Sequence, residues 1–392
     1  MDRARTALTP EGTLEVEASS PALDTRTALA EAFATLRAAS AREVVARLGR
    51  DQGYRIEDLV ALEARNVPSS DLPIAREWLR RRLPSGATIV CHETAEPAEP
   101  VTLFATLAPR AEERTRAYSV EEGRIDVESV ELHVVEQCNL RCAQCCNVSP
   151  YLADGDRALS SEEVSAACAR IREVMRPSVL KIMGGEPLLH PDLPGVLRAV
   201  RESGVAPRIR LFTNGLLLRS LDDATFALLD ELTVSSYASA PVKPEIVAET
   251  EARARRFDVV LNVKEVVSFT TVLTDRPNDD AAMQEAYDSC WLRHRCLVVR
   301  DGVFYKCTRA AYHADFHAKV ALEGAHDVDA EATQRAIGIP LSDPDFAKRA
   351  AAYLSAREPI ASCRHCLGSA GPLTPHVQLR RRDVAAGRLV LA

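Results

Sequence analysis

Residues 130–145 read VELHVVEQCNLRCAQC and combine an apolar run with a loop of three cysteines. Val130 to Val135 is rich in β-branched residues, which predicts a buried strand. Cys138, Cys142 and Cys145 follow it directly with the spacing C-x3-C-x2-C. The stretch therefore places three thiols on one loop at the carboxyl end of a strand.

Further strands and helices alternate downstream of this stretch. Ser160 and Glu163 form a capping-box pattern that predicts the start of a helix. The expected elements are helix 161–175, strand 179–183, helix 193–202, strand 209–213, helix 222–230, strand 232–235, helix 244–256 and strand 259–266. Repeated units of this kind build a parallel sheet with right-handed connections, often closed towards a barrel.

The unusual residues of this region all fall where a predicted strand ends. The cysteine loop follows the first strand, Gly184-Gly185-Glu186-Pro187 the second, and Asn214-Gly215 the third. In barrel-like α/β folds the chemistry sits on the loops after the carboxyl ends of the strands. These three segments are therefore expected to form one site.

The first cysteine group suits an iron–sulfur cluster with one open iron. Three thiolates can hold three irons of a cubane, and the fourth iron is left for a ligand. A structural zinc ion is the alternative, but zinc needs a fourth ligand close by, and Cys146 is poorly placed to close the same ring.

With these motifs the chain resembles the radical S-adenosylmethionine (SAM) superfamily. The resemblance covers residues 127 to about 270 and implies a partial (β/α)6 TIM-like barrel with a [4Fe-4S] cluster at Cys138, Cys142 and Cys145. It implies that the open iron chelates SAM and that one electron releases a 5′-deoxyadenosyl radical. Gly184, Gly185, Glu186 and Pro187 resemble the family's GGEP motif, which contacts the methionine amino group of SAM.

The resemblance also implies SAM contacts from Asn214 and from Ser235 and Ser236 at the end of the fourth strand. The sequence departs from the family pattern at two positions near the expected SAM site. Gln144 stands before the third cysteine, where an aromatic residue is common near the adenine. Ser235-Ser236-Tyr237 replaces the common Ser-x-Asp.

A second cysteine group lies towards the carboxyl terminus. Cys296 and Cys307 flank Gly302, and Cys363 and Cys366 follow as a C-x2-C pair. Four thiolates suit either zinc or a fully ligated [4Fe-4S] cluster. The pattern resembles the SPASM and twitch extensions of radical SAM enzymes, and no cysteine follows the pair, which fits the shorter twitch type with one auxiliary cluster.

Cys290 has three possible roles. It can replace Cys296 as a cluster ligand, it can be a buried thiol, or it can donate a hydrogen atom to a substrate radical, as an epimerase requires. The sequence leaves these roles open.

Two reaction classes fit the resemblance. In the first, a small hydroxylated substrate such as a sugar or aminoglycoside is oxidised, with the auxiliary cluster accepting an electron, or is epimerised. In the second, a ribosomally made peptide is modified by thioether, carbon–carbon or epimerisation chemistry. Twitch-type extensions favour the first class, and the chemistry implies a flavodoxin or ferredoxin-type electron donor.

Composition sets the remaining limits. A net charge of −7 argues against nucleic-acid partners, and no apolar run is long enough for a membrane span. The first 21 residues lack the apolar core of a signal peptide. Eleven cysteines in a chain without secretion signals point to cofactor ligands in a reducing cytoplasm rather than to disulfides.

The amino-terminal third is expected to be a mainly helical accessory domain over residues 1–120, possibly winged-helix-like. Residues 1 to about 20 lack periodicity and suggest a loose tail. Helical spacing occurs over 25–48, 56–64 and 71–83, and strand-like runs over 88–91 and 101–106. The expected order is therefore this domain, the barrel over 127–275 and a cysteine-rich extension over 285–392.

Overall fold

The computed structural model describes residues 118–389 except 153–156, 267, 291, 321, 324–328 and 372, and it also describes six strands within residues 1–117. The chain divides into two compact units, Met1–Thr115 and Arg116–Ala392. Among the described residues, no helix is both long enough and apolar enough to cross a membrane.

The first unit contains one antiparallel sheet of six strands with the order β1-β2-β5-β6-β4-β3. Its strands are β1 Arg5–Leu8, β2 Thr13–Ala18, β3 Glu43–Arg47, β4 Ala61–Val67, β5 Ala87–His92 and β6 Val101–Leu107. The two strands expected at 88–91 and 101–106 are confirmed as β5 and β6, which pair with each other.

The prediction of a mainly helical unit is wrong where β1 to β4 lie. β3 lies within the helix expected at 25–48, β4 overlaps the helix expected at 56–64, and β1 and β2 lie within the expected tail. The helix expected at 71–83 lies outside the described residues. Apolar runs this short are compatible with the residue period of a helix and with that of a strand. Here β4 pairs with β3 and β6, and the backbone hydrogen bonds of this pairing favour the strands.

The second unit is built on a sheet whose order is β12-β11-β10-β9-β8-β14-β15-β16, with β7 beside β8. All neighbours from β12 through β14 in this order pair in parallel, and the β14–β15–β16 edge is antiparallel. The strands are β7 Val120–Glu121, β8 Arg124–Val135, β9 Met175–Gly184, β10 Arg208–Thr213, β11 Glu231–Tyr237, β12 Val260–Val266, β13 Ser268–Thr270, β14 Val298–Arg300, β15 Val303–Tyr305, β16 Ile339–Pro340 and β17 Leu373–Pro375.

Helices connect the five consecutive parallel strands β8 to β12, as the βα alternation predicts for a partial TIM-like barrel. The helices are α1 Ser161–Val174, α2 Leu193–Ser203, α3 Asp223–Phe226, α4 Pro244–Arg256, α5 Asp280–Ser289, α6 Leu292–Arg295, α7 Thr308–Ala311, α8 His313–Lys319, α9 Ala330–Ala336, α10 Phe346–Ser355 and α11 Arg381–Ala385. The predicted capping box at the start of α1 is confirmed, since Ser160 and Glu163 bond each other's backbone amides.

Two apolar cores cover the two faces of the sheet. The outer core joins side chains such as Leu180, Ile182, Leu232 and Val234 to helices α1, α2 and α10. The inner core packs the cysteine loop and the carboxyl-terminal segments together, with Val148, Tyr312 and Phe316 among its members. Carboxyl-terminal segments therefore contribute to both cores, with α8 in the inner core and α10 in the outer core.

Charged residues are also buried on that inner face. Glu131 and Lys181 are almost fully buried, and their side chains lie 3.3 Å apart. Lys181 Nζ also donates to the carbonyl of Arg295 at 2.7 Å, and His133 Nε2 lies 3.4 Å from the Glu131 carboxylate. Burial alone would raise the pKa of Glu131, but the Lys181 charge and the His133 contact hold it below its ordinary value.

A tight hairpin places the start of the second cysteine group beside β8. β14 pairs in parallel with β8 and turns into β15 through Asp301 and Gly302, both with positive φ. Such a turn matches the twist of a two-residue hairpin. Cys296 precedes the hairpin and Cys307 follows it, so both lie at the same end.

Candidate active site

The cysteine loop is held against the 184–187 turn by backbone hydrogen bonds. Gly185 N donates to Val135 O at 2.7 Å, and Glu186 N donates to Gln137 O at 2.8 Å. A Cβ at Gly184 would lie 2.1 Å from Val135 O, and one at Gly185 would lie 2.2 Å from Gln137 O. These glycines therefore allow two loops to meet backbone to backbone, a role that the sequence analysis did not assign to them.

The Glu186 carboxylate joins the ends of three segments. It accepts hydrogen bonds from Thr213 Oγ1 at 2.6 Å, from Asn214 N at 2.7 Å and from Leu188 N at 3.0 Å. Only 1% of Glu186 is exposed, and burial raises the pKa of its carboxyl against the opposing effect of these bonds. Pro187 begins the short 3₁₀ helix that follows.

Asn214 connects the third strand end to the cysteine loop itself. Its Nδ2 donates to Asn139 Oδ1 at 2.6 Å, while its Oδ1 accepts from Leu216 N. The structure thus brings together the three strand-end segments that the sequence singled out. The position of Asn214 also fixes Asn139, a residue between two of the cysteines that sequence reasoning did not select.

The remaining predicted SAM contacts have structural partners of their own. Ser236 Oγ accepts from Val242 N at 3.0 Å, and Ser235 is half-buried at the end of β11. Gln144 is buried, and its Oε1 accepts from Leu273 N at 2.9 Å. The Gln144 Nε2 group is buried without a partner among the described residues, so it retains a donor for a ligand.

The thiols of the loop are in a desolvated position. Burial raises the pKa of Cys138 to about 12 and the pKa of Cys142 well above its ordinary value, and the neighbouring thiols add to both shifts. Without a metal these two thiols are protonated at neutral pH. Iron binding would displace those protons, and the positive charge of the iron would offset the negative charge of the buried thiolates. The loop is therefore suited to a metal cluster.

A carboxyl-terminal segment, residues 376–379, runs alongside the loop. Ala143 N donates to Val377 O at 3.0 Å, and Leu379 N donates to Arg141 O at 2.7 Å. His376 Nε2 lies 3.1 Å from Cys142 Sγ. His376 is a site residue that the sequence did not reveal, because 234 positions separate it from Cys142 and no motif surrounds it.

The second cysteine group surrounds a cavity of about 60 Å³. Six thiols line it, and no carboxylate does. The thiols belong to Cys146, Cys290, Cys296, Cys307, Cys363 and Cys366. Three buried cations, Arg293, Lys306 and Arg309, complete the polar part of the wall. Arg309 has guanidinium nitrogens without hydrogen-bond partners among the described residues, as does Arg293.

This wall fits an anionic iron–sulfur cluster. Four thiolates on a [4Fe-4S] core carry a net negative charge, and buried cations without carboxylates would offset it. Burial lowers the pKa of Lys306 to about 8 in the absence of such a group.

Cys290 lies near three of the other thiols that line the cavity. Burial raises the pKa of Cys307, Cys363 and Cys366, and the nearby charge of Cys290 adds to the shift of each. A Cβ on Gly368 would lie 3.4 Å from Cys290 Cβ, and Gly368 N donates to Cys366 Sγ at 3.3 Å.

Cys296 is buried near Glu131, Lys181 and Cys146, and the charge of Cys307 adds to the burial that raises the pKa of its thiol. Cys146 follows Cys145 directly in the sequence, but it lines the second cavity and Cys145 does not.

The site thus combines a parallel α/β sheet with three thiols on the loop after β8, and three thiolates can hold a [4Fe-4S] cluster with one open iron. Residues 132–286 match the model of the Radical SAM superfamily. The chain therefore carries a radical SAM domain, a family whose cofactors are a [4Fe-4S] cluster and SAM.

Curated relatives are similar over the same region. GTP 3′,8-cyclase 1 of Mycobacterium tuberculosis (strain ATCC 25618 / H37Rv) is 30% identical over 162 residues, which are 40% of this chain and 43% of that protein. GTP 3′,8-cyclase of Streptomyces coelicolor is 28% identical over 175 residues, 41% of this chain and 48% of that protein. The chain thus spans less than half the length of these relatives.

Among solved structures, BtrN in complex with AdoMet and 2-DOIA matches with 15% identity and a TM-score of 0.37, covering 61% of this chain and 92% of BtrN. Native anSMEcpe with bound AdoMet matches with 17% identity and a TM-score of 0.28, covering 36% and 44%. Both scores are low, and the fold is defined here by the order of the strands.

Proposed function

We propose that this protein cleaves SAM reductively at Cys138, Cys142 and Cys145 and uses the resulting radical to abstract hydrogen from a small hydroxylated substrate, such as a sugar or an aminoglycoside. The reaction is an oxidation or an epimerisation at an alcohol carbon. The observation that supports this most is the direct hydrogen bonding between the three strand-end segments, through Glu186 and Asn214.

When bound, the first cluster would supply the electron for reductive cleavage of SAM, and the second would accept the electron released by oxidation of an alcohol carbon. Cys138, Cys142 and Cys145 hold the first cluster. The 184–187 turn, with its buried Glu186, provides negative charge for the ammonium group of SAM. Asn214, Ser235, Ser236 and the unpartnered amide of Gln144 provide polar contacts.

For the second cluster we propose the ligands Cys290, Cys307, Cys363 and Cys366. Their mutual proximity supports this set over the set with Cys296. The sequence agrees, because Cys290 precedes Gly302 by a spacing within the C-x(9–15)-G range of the twitch pattern, whereas Cys296 does not. With Cys290 as a ligand, Cys146 and Cys296 are the cavity thiols left for another role, including hydrogen donation in an epimerisation.

A matched pair of variants distinguishes the two ligand sets. Cys290→Ala is expected to reduce the anaerobically reconstituted iron content from about eight to about four per chain, because the second cluster loses a ligand. Cys296→Ala is expected to keep the wild-type iron content. Iron and sulfide analysis with EPR provides the measurement. The opposite result for the pair would assign the cluster to Cys296.

Lys264 is our candidate for the base that takes the substrate hydroxyl proton during oxidation. It lies opposite Ser235 in the β11–β12 pairing. Leu261 and Val263 pack in the outer core, so side-chain alternation puts Lys264 on the inner face. Lys264 is half-buried, and desolvation lowers the pKa of its amine towards neutral against the opposing charge of Cys296, which favours a role as base.

A small substrate is favoured by the cover over the site and by the relatives. Residues 376–379 pair with the cysteine loop and cover part of its surface. The curated relatives are named for a reaction of GTP, itself a small hydroxylated molecule. A flavodoxin or ferredoxin-type protein is the proposed electron donor.

The alternative function is modification of a ribosomally made peptide. Incubation of the reduced holoenzyme and SAM with a panel of sugars, aminoglycosides and short peptides separates the two. We expect 5′-deoxyadenosine formation to increase several-fold with a hydroxylated small molecule and not with peptides. Stimulation by peptides alone would favour the alternative.

A further inference from the structure

A chain of four hydrogen bonds connects the backbone of the cysteine loop to one of the thiols of the same loop. Arg141 N donates to Gln378 Oε1 at 3.3 Å, and Gln378 Nε2 donates to Ser239 Oγ at 3.1 Å. Ser239 Oγ lies 3.0 Å from His376 Nδ1, and His376 Nε2 lies 3.1 Å from Cys142 Sγ.

The first bond fixes the direction of the second. A backbone N–H can only donate, so the amide oxygen of Gln378 faces Arg141 and its NH₂ group faces Ser239. The Ser239 oxygen accepts that bond and is free to donate its own hydrogen to His376 Nδ1. A neutral imidazole then carries its proton on Nε2, and a charged imidazole carries one there as well. With Ser239 as the donor to Nδ1, His376 presents an N–H to the sulfur in either charge state.

Packing holds the His376 ring in this orientation. The residue is 5% exposed and stacks on Tyr237 with a centroid distance of 4.5 Å and an interplanar angle of 22°. The edge contact with Phe269, at 4.7 Å, restrains the ring from another side. Pairing of residues 376–379 with the loop fixes the backbone.

We propose that His376 donates a hydrogen bond to the Cys142 thiolate of the SAM-binding cluster and thereby raises the reduction potential of that cluster. An N–H bond to a ligating sulfur stabilises the more negative, reduced state, and hydrogen bonds to sulfurs are among the features that set cluster potentials. His376 is a positioning residue that acts through Cys142. The inference rests on the proposed cluster at Cys138, Cys142 and Cys145.

An EPR-monitored redox titration of the holoenzyme tests this inference. The relevant signal is the one from the reduced protein that changes when SAM is added. His376→Phe keeps an aromatic ring in the stack but removes the donor. We expect its cluster to be about tenfold harder to reduce, a shift of about 59 mV to more negative potential.

Two further variants provide the controls. His376→Gln retains an N–H near the position of Nε2 and is expected to restore most of the wild-type potential. Val377→Thr changes an exposed side chain of the same segment and is expected to leave the potential unchanged.

The inference is wrong if His376→Phe has full iron content and the wild-type potential, or if His376→Gln shifts as far as His376→Phe. If His376→Phe does not load the cluster, Ser239→Ala decides, because it removes the partner of Nδ1 without touching the sulfur. A smaller shift of the same sign supports the inference, and an unchanged potential overturns it. A wild type without any SAM-responsive signal would instead refute the proposed function.

Discussion

Replacement of Cys138, Cys142 and Cys145 together by Ala should reduce the iron content of the reconstituted protein from about eight to about four per chain. The three thiols lie on one loop, and the second cysteine group surrounds a cavity of its own. Loss of the first cluster should therefore leave the second intact. The EPR signal that responds to SAM should disappear, while the other signal persists.

The matched control is Cys168→Ala, which removes a fully buried thiol of α1 that packs in the outer core. It should retain both clusters. Loss of all iron in the triple variant would mean that the carboxyl-terminal cysteines hold no iron–sulfur cluster. Unchanged iron content would show that Cys138, Cys142 and Cys145 are not cluster ligands.

Glu131→Gln should destabilise the protein by about 3–5 kcal/mol, the typical cost of leaving a buried ion pair with one charge. Lys181 is 0% exposed and forms an ion pair with Glu131. The neutral amide removes the Glu131 charge from beside the buried ammonium group, and the hydrogen bond to Arg295 O supplies no charge. Urea unfolding under anaerobic conditions measures the change.

The control is Glu249→Gln, because Glu249 forms an ion pair with Arg219 at 2.7 Å on the exposed surface. Its free energy of unfolding should equal that of the wild type within error. A combined Glu131→Leu and Lys181→Met variant should recover much of the stability lost by Glu131→Gln, since it leaves no unpaired charge. Equal stability of Glu131→Gln and the wild type would show that the pair is not buried as described.

The sequence predicts the barrel well because its signals are local and repeated. Strands such as Arg208–Thr213 and helix Pro244–Arg256 lie within one or two residues of the expected bounds. Apolar side chains alternate along such strands and recur at helical spacing along such helices, so that one face of each element packs in the outer core. The strand-end motifs then follow, because parallel strands present their carboxyl ends at the same edge.

The parts that sequence reasoning missed depend on contacts between distant residues. β3 and β4 have short apolar runs whose period does not separate helix from strand, and only pairing with neighbouring strands decides between them. His376 reaches Cys142 because residues 376–379 pair with the loop, which no local pattern encodes. The direction of Cys146, away from Cys145 and into the second cavity, is likewise a result of loop packing.

The central claim is that the three loop thiols hold the cluster that cleaves SAM. Its most direct test is the anaerobic reaction of dithionite-reduced protein with SAM, followed by quantification of 5′-deoxyadenosine and methionine. The wild type should release both in equal amounts, and the Cys138/Cys142/Cys145→Ala variant should release neither. Absence of 5′-deoxyadenosine from a wild-type sample with full iron content would contradict the account.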